Sequence, residues 1–459
     1  MSNSQQWMTG RQWPGLPSKS KSLALANCGL ADASCMEQLL VHCANAIEQN
    51  DATLSQQIFW VLNNIAPPDG DSNQRMTCAF LRALIVRAAR SGASSKLIAA
   101  IATAAQANIL SSTTHLFTAI ELAGFVDVTP WYRFGFTAAN SAVLDAIEGF
   151  STVHIVDLSL THCMQLPTLL DAISNRFEFR PLVKISVVGP PEGLPPLLDL
   201  SYDELGSKLV SFGRTRNLVV EFKVIPSSYN DGFSSLIDHL RVQHLAYGGG
   251  RQFGEALVVN CQMFLHYIPE ETVETTMNSP NTDSYLHPFN TLFSSSTSSF
   301  RSMFLKSLRS LEPTIVVLVD EDADLTSSNL VCRLRSAFNF LWIPYDTIDT
   351  FLPKGSKERD WYEADIYWKI ENVIAHEGLQ RVERLEPRSR WVQRMRNANF
   401  RGVPFREDAV SEVRNMLDEH AAGWGLKKEE DDLVLTWKGH NVVFATAWRP
   451  SRRFTDTVQ

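Results

Sequence analysis

The chain has 459 residues, of which 44% are hydrophobic and 20% are charged, and this composition is that of a folded protein and not of a disordered one. The formal net charge of −8 disfavours binding of nucleic acid by the whole surface, because only a field of opposite sign attracts phosphate. The seven cysteines are scattered and never form C-x-x-C, so the sequence indicates neither a disulfide framework nor a structural zinc site.

The two ends of the chain predict polar tails. Residues 1–34 are rich in Ser, Gln, Gly and Pro, which favours a flexible segment. We expect residues 449–459 to form a second tail. No run of about 18 apolar residues is present, and the first residues lack the apolar stretch of a signal peptide. We therefore expect a protein that stays inside the cell.

Residues 35–150 carry a helical pattern without a convincing strand. Met36, Leu40, Cys43 and Ile47 recur at spacings of three and four, which places them on one face of a helix. Alanine-rich stretches follow, including residues 95–110, and Gly, Pro, Asp and Ser separate the segments. The sequence therefore predicts a cap made of helices ahead of the next domain.

From residue 151 the pattern changes to short apolar strands alternating with helical segments. The strands are predicted at residues 153–158, 182–189, 218–225, 256–263 and 314–320. Such alternation predicts an α/β fold with a mostly parallel sheet and helices on both of its faces. Residues 275–299, rich in Ser, Thr and Asn, are predicted to be a loop insertion.

After residue 320 the sequence predicts long helices and then a final hairpin. Residues 431–448 alternate between apolar and polar side chains around Lys438 and Gly439. This pattern is typical of an antiparallel hairpin, which we expect at the edge of the sheet. The predicted α/β domain therefore spans residues 151–448.

Asp157 ends the first predicted strand, where α/β proteins bind ligands. A nucleoside cofactor needs a glycine-rich turn there, but the sequence reads LSLTHCM at residues 158–164. The second strand ends in Gly189, Pro190 and Pro191 instead of a carboxylate that could hold ribose hydroxyls. We therefore predict no enzyme activity and no cofactor, and we expect Asp157 to form a structural hydrogen bond.

Two further groups of residues test metal binding. His154 lies inside an apolar strand, where a lone histidine is usually a core residue. Asp320, Asp322 and Asp324 resemble the start of a calcium loop, but the glycine and glutamate that this loop requires are replaced by Leu325 and Val331. The sequence therefore predicts no metal site.

An arginine-rich segment is the best candidate for contact with a partner or a nucleic acid. Arginine next to an aromatic side chain, here Trp391, can bind phosphate and stack on bases. Glu377, Glu383 and Glu386 are interleaved, which suits internal ion pairs equally well. We favour structural pairing or protein contact over DNA. The arginines are Arg381, Arg384, Arg388, Arg390, Arg394 and Arg396.

Three motifs in order resemble the plant GRAS family. The first is VHIVD, formed by Val153, His154, Ile155, Val156 and Asp157, which is similar to the family's VHIID motif. Residues 372–400 look like its PFYRE region, and Thr446, Ala447 and Trp448 resemble its closing SAW motif. Cys163 and Leu166 stand where the family usually has Gly and Trp. The pattern is closest to the SHORT-ROOT and SCARECROW-like branch.

The resemblance implies a Rossmann-like core, related to methyltransferases, that carries an N-terminal helical cap. It also implies a nuclear regulator of transcription in plant development. Such a protein pairs with other GRAS proteins through the cap, and we expect Met36, Leu40, Cys43 and Ile47 to form the dimer face. Zinc-finger factors of the INDETERMINATE-domain type are the expected partners. Direct sequence-specific binding of DNA through the arginine-rich segment remains one alternative, and an enzyme that binds a small molecule or S-adenosylmethionine remains the other.

Overall fold

The computed structural model describes residues 33–90, 115–189, 193–246, 254–270 and 299–451. Most of both predicted tails, residues 95–110 and almost all of residues 275–299 lie outside this part of the chain. The helices of the described residues are α1 (Ala33–Glu48), α2 (Ala52–Ile65), α3 (Ser72–Arg90), α4 (Ala119–Asp127), α5 (Pro130–Ala146), α6 (Leu166–Arg176), α7 (Tyr202–Thr215), α8 (Ser234–Ala246), α9 (Phe300–Ser310), α10 (Leu330–Phe351), α11 (Lys357–Ala375), α12 (Arg388–Asn397) and α13 (Glu407–Asp418).

The strands belong to one large sheet and one small sheet. Their bounds are β1 (Leu116–Phe117), β2 (Thr152–Ser159), β3 (Leu182–Val188), β4 (Leu197–Leu198), β5 (Val220–Ile225), β6 (Glu255–Gln262), β7 (Ile315–Glu321), β8 (Phe400–Gly402), β9 (Trp424–Glu429), β10 (Asp432–Trp437) and β11 (His440–Pro450). The chain divides into two compact units. Unit 1 contains the described residues up to Arg90 together with Ser327–Asp349 and Ile366–His376, and unit 2 contains the other described residues.

Unit 1 is a helical unit in which α1 turns its apolar face inward. Met36, Leu40 and Cys43 are fully buried, and Ile47 is nearly so. The Thr77 hydroxyl of α3 lies 3.2 Å from the Met36 sulfur. The prediction that these four residues form a dimer face is therefore wrong. The spacing correctly marks the buried side of the helix, but the partners of that side are α2 and α3 of the same chain.

Segments from the second half of the chain complete unit 1. The Phe80 ring of α3 lies 5.6 Å from the Phe338 ring of α10, measured between centroids. Arg75 of α3 donates to Asp349 at 2.7 Å, and buried Arg333 donates to the carbonyl oxygen of Val373 at 2.7 Å. Residues far apart in sequence therefore share one helical core.

Unit 2 contains the large sheet, whose strand order is β5-β3-β2-β6-β7-β11-β10-β9, with β8 pairing with β11. Strands β5, β3, β2, β6 and β7 are parallel, and β11 joins β7 in antiparallel register. Every residue of β7 is buried. Because alternate side chains point to opposite faces, both faces of this strand are covered. The predicted α/β fold with a mostly parallel sheet is confirmed.

The C-terminal hairpin is also confirmed. Strands β10 and β11 pair in antiparallel register, with Trp437 opposite His440. Lys438 and Gly439 both have positive φ angles, 46° and 85°, as a two-residue turn of the primed type requires. The hairpin adds three antiparallel strands beyond β7 when β9 is included.

Helix α5 belongs to unit 2, which differs from the predicted boundary at residue 150. A Cβ atom added to Gly135 of this helix would lie 2.7 Å from a methyl group of Val319 in β7. Trp131 also donates its indole N–H to Glu321 at 2.9 Å. The boundary differs because helical periodicity shows that a face is buried but not which element covers it.

Within the described residues no helix is long and apolar enough to cross a bilayer.

Candidate functional site

The carboxyl end of β2 holds Asp157, which is 3% exposed. Its Oδ1 accepts a hydrogen bond from Asn260 Nδ2 at 2.7 Å, and its Oδ2 accepts one from the Ser159 hydroxyl at 2.6 Å. Burial raises the pKa of this carboxyl, and the hydrogen bonds from Ser159 and Asn260 act in the opposite direction. The hydrogen-bonding capacity of Asp157 is therefore used by the protein itself, as the sequence predicted.

A row of amide side chains extends this network across the sheet into α5. Asn260 also donates to Gln165 Oε1 at 2.8 Å, and Gln262 donates to the same oxygen. Gln165 in turn donates to Asn140 Oδ1 at 2.9 Å, and Asn140 donates to the Thr168 hydroxyl at 2.9 Å. These interactions connect β2, β6, α5 and the start of α6 into one internal polar network, which we call the Asp157 network.

The turn after β2 occupies the place where a Rossmann-like enzyme would bind its cofactor. Residues 158–163 are each at most 7% exposed. His162 and Cys163 adopt positive φ angles of 49° and 63° although neither is glycine. The His162 ring contacts the Tyr202 hydroxyl at 2.8 Å and the carbonyl oxygen of Pro196 at 2.7 Å. Side chains of the protein therefore fill this turn, and it does not fit a nucleoside cofactor.

The remaining residues of the VHIVD and TAW motifs build the sheet. His154 contacts the Ser186 hydroxyl of β3 at 2.8 Å, and burial lowers the pKa of its ring to about 4. In β11, buried Trp448 donates its indole N–H to the Thr446 hydroxyl at 2.8 Å, and Thr446 donates to the carbonyl oxygen of Leu318 at 3.3 Å. The motif side chains Val153, Ile155, Val156 and Ala447 are also buried.

Each of the three aspartates at and just after the end of β7 has a protein partner. Asp320 contacts His266, while Asp322 accepts hydrogen bonds from the backbone of Arg388 at 2.9 Å and from Asn441 at 3.0 Å. Asp324 caps the turn at Thr326. No group of His, Cys, Asp and Glu in the described part of the chain is arranged to hold a metal ion.

The first two arginines of the arginine-rich segment point into unit 2. Arg381 and Arg384 are each 5% exposed. Arg381 donates to the carbonyl oxygen of Leu325 at 3.1 Å, and Arg384 donates to the carbonyl oxygen of Gly378 at 2.6 Å. Phosphate in solution cannot reach these side chains. They serve the fold and not a surface contact.

The other four arginines form ion pairs with carboxylates of unit 2. Arg394 binds Glu386 and Glu270, each at 2.7 Å. The remaining pairs are Arg388 with Asp432 at 2.7 Å and with Glu429, Arg390 with Asp324 at 2.9 Å, and Arg396 with Glu430 at 3.2 Å. Arg390 and Arg396 are the more exposed members, at 40% and 57% of their side chains. The charge of these four arginines is therefore largely neutralised by carboxylates of unit 2, and Glu386 is the interleaved glutamate among them.

Sequence reasoning missed a buried charge cluster around His266. His266 Nδ1 lies 2.9 Å from Asp320, and its Nε2 lies 3.5 Å from Glu383. Burial disfavours the imidazolium, but Asp320 and Glu383 more than offset this and raise the pKa of His266 to about 9. The Tyr267 hydroxyl donates to Glu383 at 2.9 Å. These residues are distant in sequence, so no local signal could have joined them.

Buried Arg301 joins this charge cluster to the arginine-rich segment. It forms an ion pair with Glu386 at 3.2 Å, donates to the carbonyl oxygens of Ile268 and His266, and lies 5.6 Å from the Trp391 ring. Trp391 therefore stacks on an internal cation. It is not a platform for a nucleic-acid base.

A mostly parallel sheet extended by antiparallel strands, with an occupied turn after β2 and paired interior carboxylates, defines a Rossmann-like α/β fold. The chain belongs to the GRAS domain family, whose model matches residues 36–449. Members of this family, including the SCARECROW-like and SHORT-ROOT proteins, are regulators of plant development. The resemblance of the three motifs is thereby confirmed.

Two relatives and one solved structure show the extent of the similarity. Scarecrow-like protein 32 of Arabidopsis thaliana is 57% identical over 429 residues, which cover 93% of this chain and 96% of the relative. Protein SHORT-ROOT of the same plant is 27% identical over 434 residues, covering 92% and 74% of the two chains. The crystal structure of SCL7 from Oryza sativa is similar in fold, with a TM-score of 0.68, 21% identity, and coverage of 90% of this chain and 99% of that one.

Proposed function

We propose that this chain acts in the nucleus as a transcriptional regulator that binds other proteins and catalyses no reaction. Its partners are other GRAS proteins and zinc-finger transcription factors of the INDETERMINATE-domain type. Contact with DNA is made through these partners. This mode of action builds on the membership of the chain in a family of developmental regulators.

The filled turn at residues 158–163 carries this proposal. A methyltransferase needs room for the backbone to approach a nucleoside, and here buried side chains take that room. Asp157, which would face the cofactor, is held by Ser159 and Asn260. Because the position of the cofactor is filled, other molecules would contact the protein at its outer surface.

Exposed apolar side chains support protein binding at that surface. Phe179 and Ile120 of unit 2 are 89% and 85% exposed, and Trp60 on α2 of unit 1 is 60% exposed. Burying such a side chain against a partner is favourable, and Trp is frequent among the residues that carry binding energy. Since the face at Met36 and Leu40 is interior, the outer side of α2 is the better candidate for pairing with another GRAS protein.

Direct DNA binding through the arginine-rich segment gains no support from the geometry. Two of its arginines are buried, and the others are paired with carboxylates at distances of 3.2 Å or less. Phosphate would have to displace these carboxylates, and the net charge of −8 would oppose its approach.

A ligand test separates the scaffold from the enzyme. The purified full chain is heated with increasing S-adenosylmethionine, and the unfolding midpoint is recorded. A ligand that binds only the folded state must raise this midpoint with concentration, and we expect no change. A saturable rise would show that the turn admits the cofactor and would contradict the proposal.

A partner test addresses the surface. The full chain is used to capture a purified INDETERMINATE-type zinc-finger protein and a second GRAS protein. We expect both to bind, and we expect Phe179→Asp or Ile120→Asp to weaken one interaction while Ser207→Asp, at an exposed polar position of α7, leaves both unchanged. Circular dichroism checks that the variants fold. If the native chain bound neither protein, the proposed function would be overturned.

A further inference from the structure

Strands β8 and β11 place two arginines directly opposite each other. Arg401 pairs with Arg449 in the antiparallel register. Side chains opposite each other in such a pair share one face, with Cβ atoms about 5 Å apart, and like charges in this position destabilise the pair. Phe400, Trp448 and Pro450, which alternate with the two arginines, are buried. The two arginine side chains therefore share the less buried face of this strand pair.

Neither arginine has an ion-pair partner among the described residues. Arg401 is exposed, and Arg449 is partly exposed. The Nε atom of Arg449 is nevertheless buried, and it has no hydrogen-bond partner among the described residues. Since a ligand cannot reach that buried atom, an acceptor from outside the chain would bind the partly exposed remainder of the Arg449 side chain together with the exposed Arg401.

The neighbouring carboxylates are engaged elsewhere or lie on the other face. Glu430 pairs with Arg396 at 3.2 Å. A carboxylate oxygen of Asp431 lies 2.9 Å from the position that a Cβ atom of Gly402 would occupy. Because successive residues of a strand point to opposite faces, this places Asp431 across the strand from the Arg401 side chain.

A third arginine closes the end of this ladder. Arg309 donates to the carbonyl oxygen of Asn399 at 2.9 Å and to that of Ser451 at 2.6 Å, and these two residues are joined by a backbone hydrogen bond. Glu312 balances its charge at 2.6 Å. Arg309 therefore fixes the strand ends beside the two unpaired arginines, and its partner Glu312 is already engaged.

We propose that Arg401 and Arg449 form a binding site for a phosphomonoester, carried by a phosphorylated serine or threonine of a partner protein. Two guanidinium forks match the oxygens of one phosphate group, and a dianion removes the repulsion between them. The site offers two arginines, and the chain as a whole carries a net charge of −8. This suits a single phosphate better than an extended nucleic-acid strand, which would meet repulsion along its length.

The test measures binding of O-phospho-L-serine to the purified full chain at constant ionic strength, by calorimetry and by the unfolding midpoint. We expect saturable binding and a raised midpoint, with no effect of serine. Arg401→Gln should weaken binding about tenfold or more because it removes one of the two guanidinium groups. Arg396→Gln, which removes an exposed arginine already paired with Glu430, is the matched control and should leave binding unchanged.

A charge-reversal variant gives a readout that does not need the ligand. Arg401→Glu places a carboxylate opposite Arg449 and supplies the missing partner within the chain. In buffer free of phosphate it should unfold at a higher temperature than the native chain, and O-phospho-L-serine should no longer raise its midpoint. A lower midpoint for Arg401→Glu would contradict the unpaired state of the two arginines.

Three results would overturn the proposal. They are equal binding by Arg401→Gln and the native chain, an equal response to chloride at the same ionic strength, and tighter binding of duplex DNA that Arg401→Gln abolishes. The last result would assign the site to nucleic acid. The partner identity rests on the proposed function, but binding of the free amino acid needs no partner, so the two proposals fail separately.

Discussion

At the scale of single residues, unit 2 keeps charged and polar side chains in its interior by giving each of them protein partners. Asp157 is held by hydroxyl and amide donors, whereas His266 is held by two carboxylates. Both side chains lie at or just beyond strand ends, where an enzyme of this fold would direct them toward a substrate. Their pairing therefore predicts that substitution of either side chain lowers the stability of the fold.

Replacing Asp157 tests the structural role of the network. Asp157→Ala leaves Asn260 Nδ2 and the Ser159 hydroxyl without this acceptor, and we expect the free energy of unfolding to fall by about 1–3 kcal/mol. Urea unfolding of the full chain measures it. Asp157→Asn retains an acceptor of the same shape and should cost less. Equal losses for the two variants would argue against hydrogen bonding as the source of stability.

The pH dependence of stability tests His266. Its pKa is raised from 6.5 to about 9, so its contribution is complete below pH 6.5 and is lost as pH rises through 9. The free energy of unfolding should fall across this window by an amount of the order of 3 kcal/mol. His266→Asn lacks the titrating group and should show a smaller fall. If the free energy of unfolding changed equally with pH in the native chain and in His266→Asn, His266 would not be the cause of the fall.

At the scale of elements, the sequence predicted the type of each helix or strand more accurately than it predicted the elements that pack against it. The turn at Lys438 and Gly439 and the alternation around it are local signals, so the hairpin was predictable. The buried face of α1 was also visible, but its partners α2 and α3 were not. The charge cluster at His266, Asp320 and Glu383 was invisible, because it depends on which strand ends meet in the folded sheet.

The corrected role of α1 gives a prediction that separates folding from dimerisation. Leu40 is fully buried within unit 1, so Leu40→Ala should lower the free energy of unfolding by about 2–5 kcal/mol. Light scattering at native temperature should show the same oligomeric state as the native chain. Trp60→Ala changes the exposed side of α2. If two copies pair there, this variant should keep the stability of the native chain and lose the oligomeric state. A shift to monomer in folded Leu40→Ala would restore the dimer face.

At the scale of the whole molecule, the net charge of −8 and the internal pairing of the arginine-rich segment act together. Ion pairs with Glu386, Asp432 and other carboxylates neutralise most of the positive charge of this segment, so the segment contributes little to the electrostatic potential at the surface. Composition predicted the overall sign. The pairing needed the structure, because the carboxylates come from several strands and loops.

Two arginine variants distinguish structural pairing from DNA contact. Arg394→Ala deprives Glu386, which is 1% exposed, of its closest cation and should lower the free energy of unfolding by about 3 kcal/mol. Arg396→Ala at the exposed end of α12 should change it by no more than about 0.5 kcal/mol. Denaturant unfolding measures both. Electrophoretic mobility shifts across a salt series give a second comparison, in which equal loss of DNA affinity would favour a nucleic-acid role.

Unit 1 is assembled from three stretches of chain, the last of which ends at His376. A ribosome makes the N-terminal helices first, but the segments that share their core emerge only after most of unit 2 has been translated. During that interval the side of α3 that carries Phe80 lacks its native cover, which α10 supplies. We infer that the nascent protein depends on chaperones at this stage, and that a shortened transcript ending before Ser327 yields an aggregating product even though it encodes α1, α2 and α3 intact.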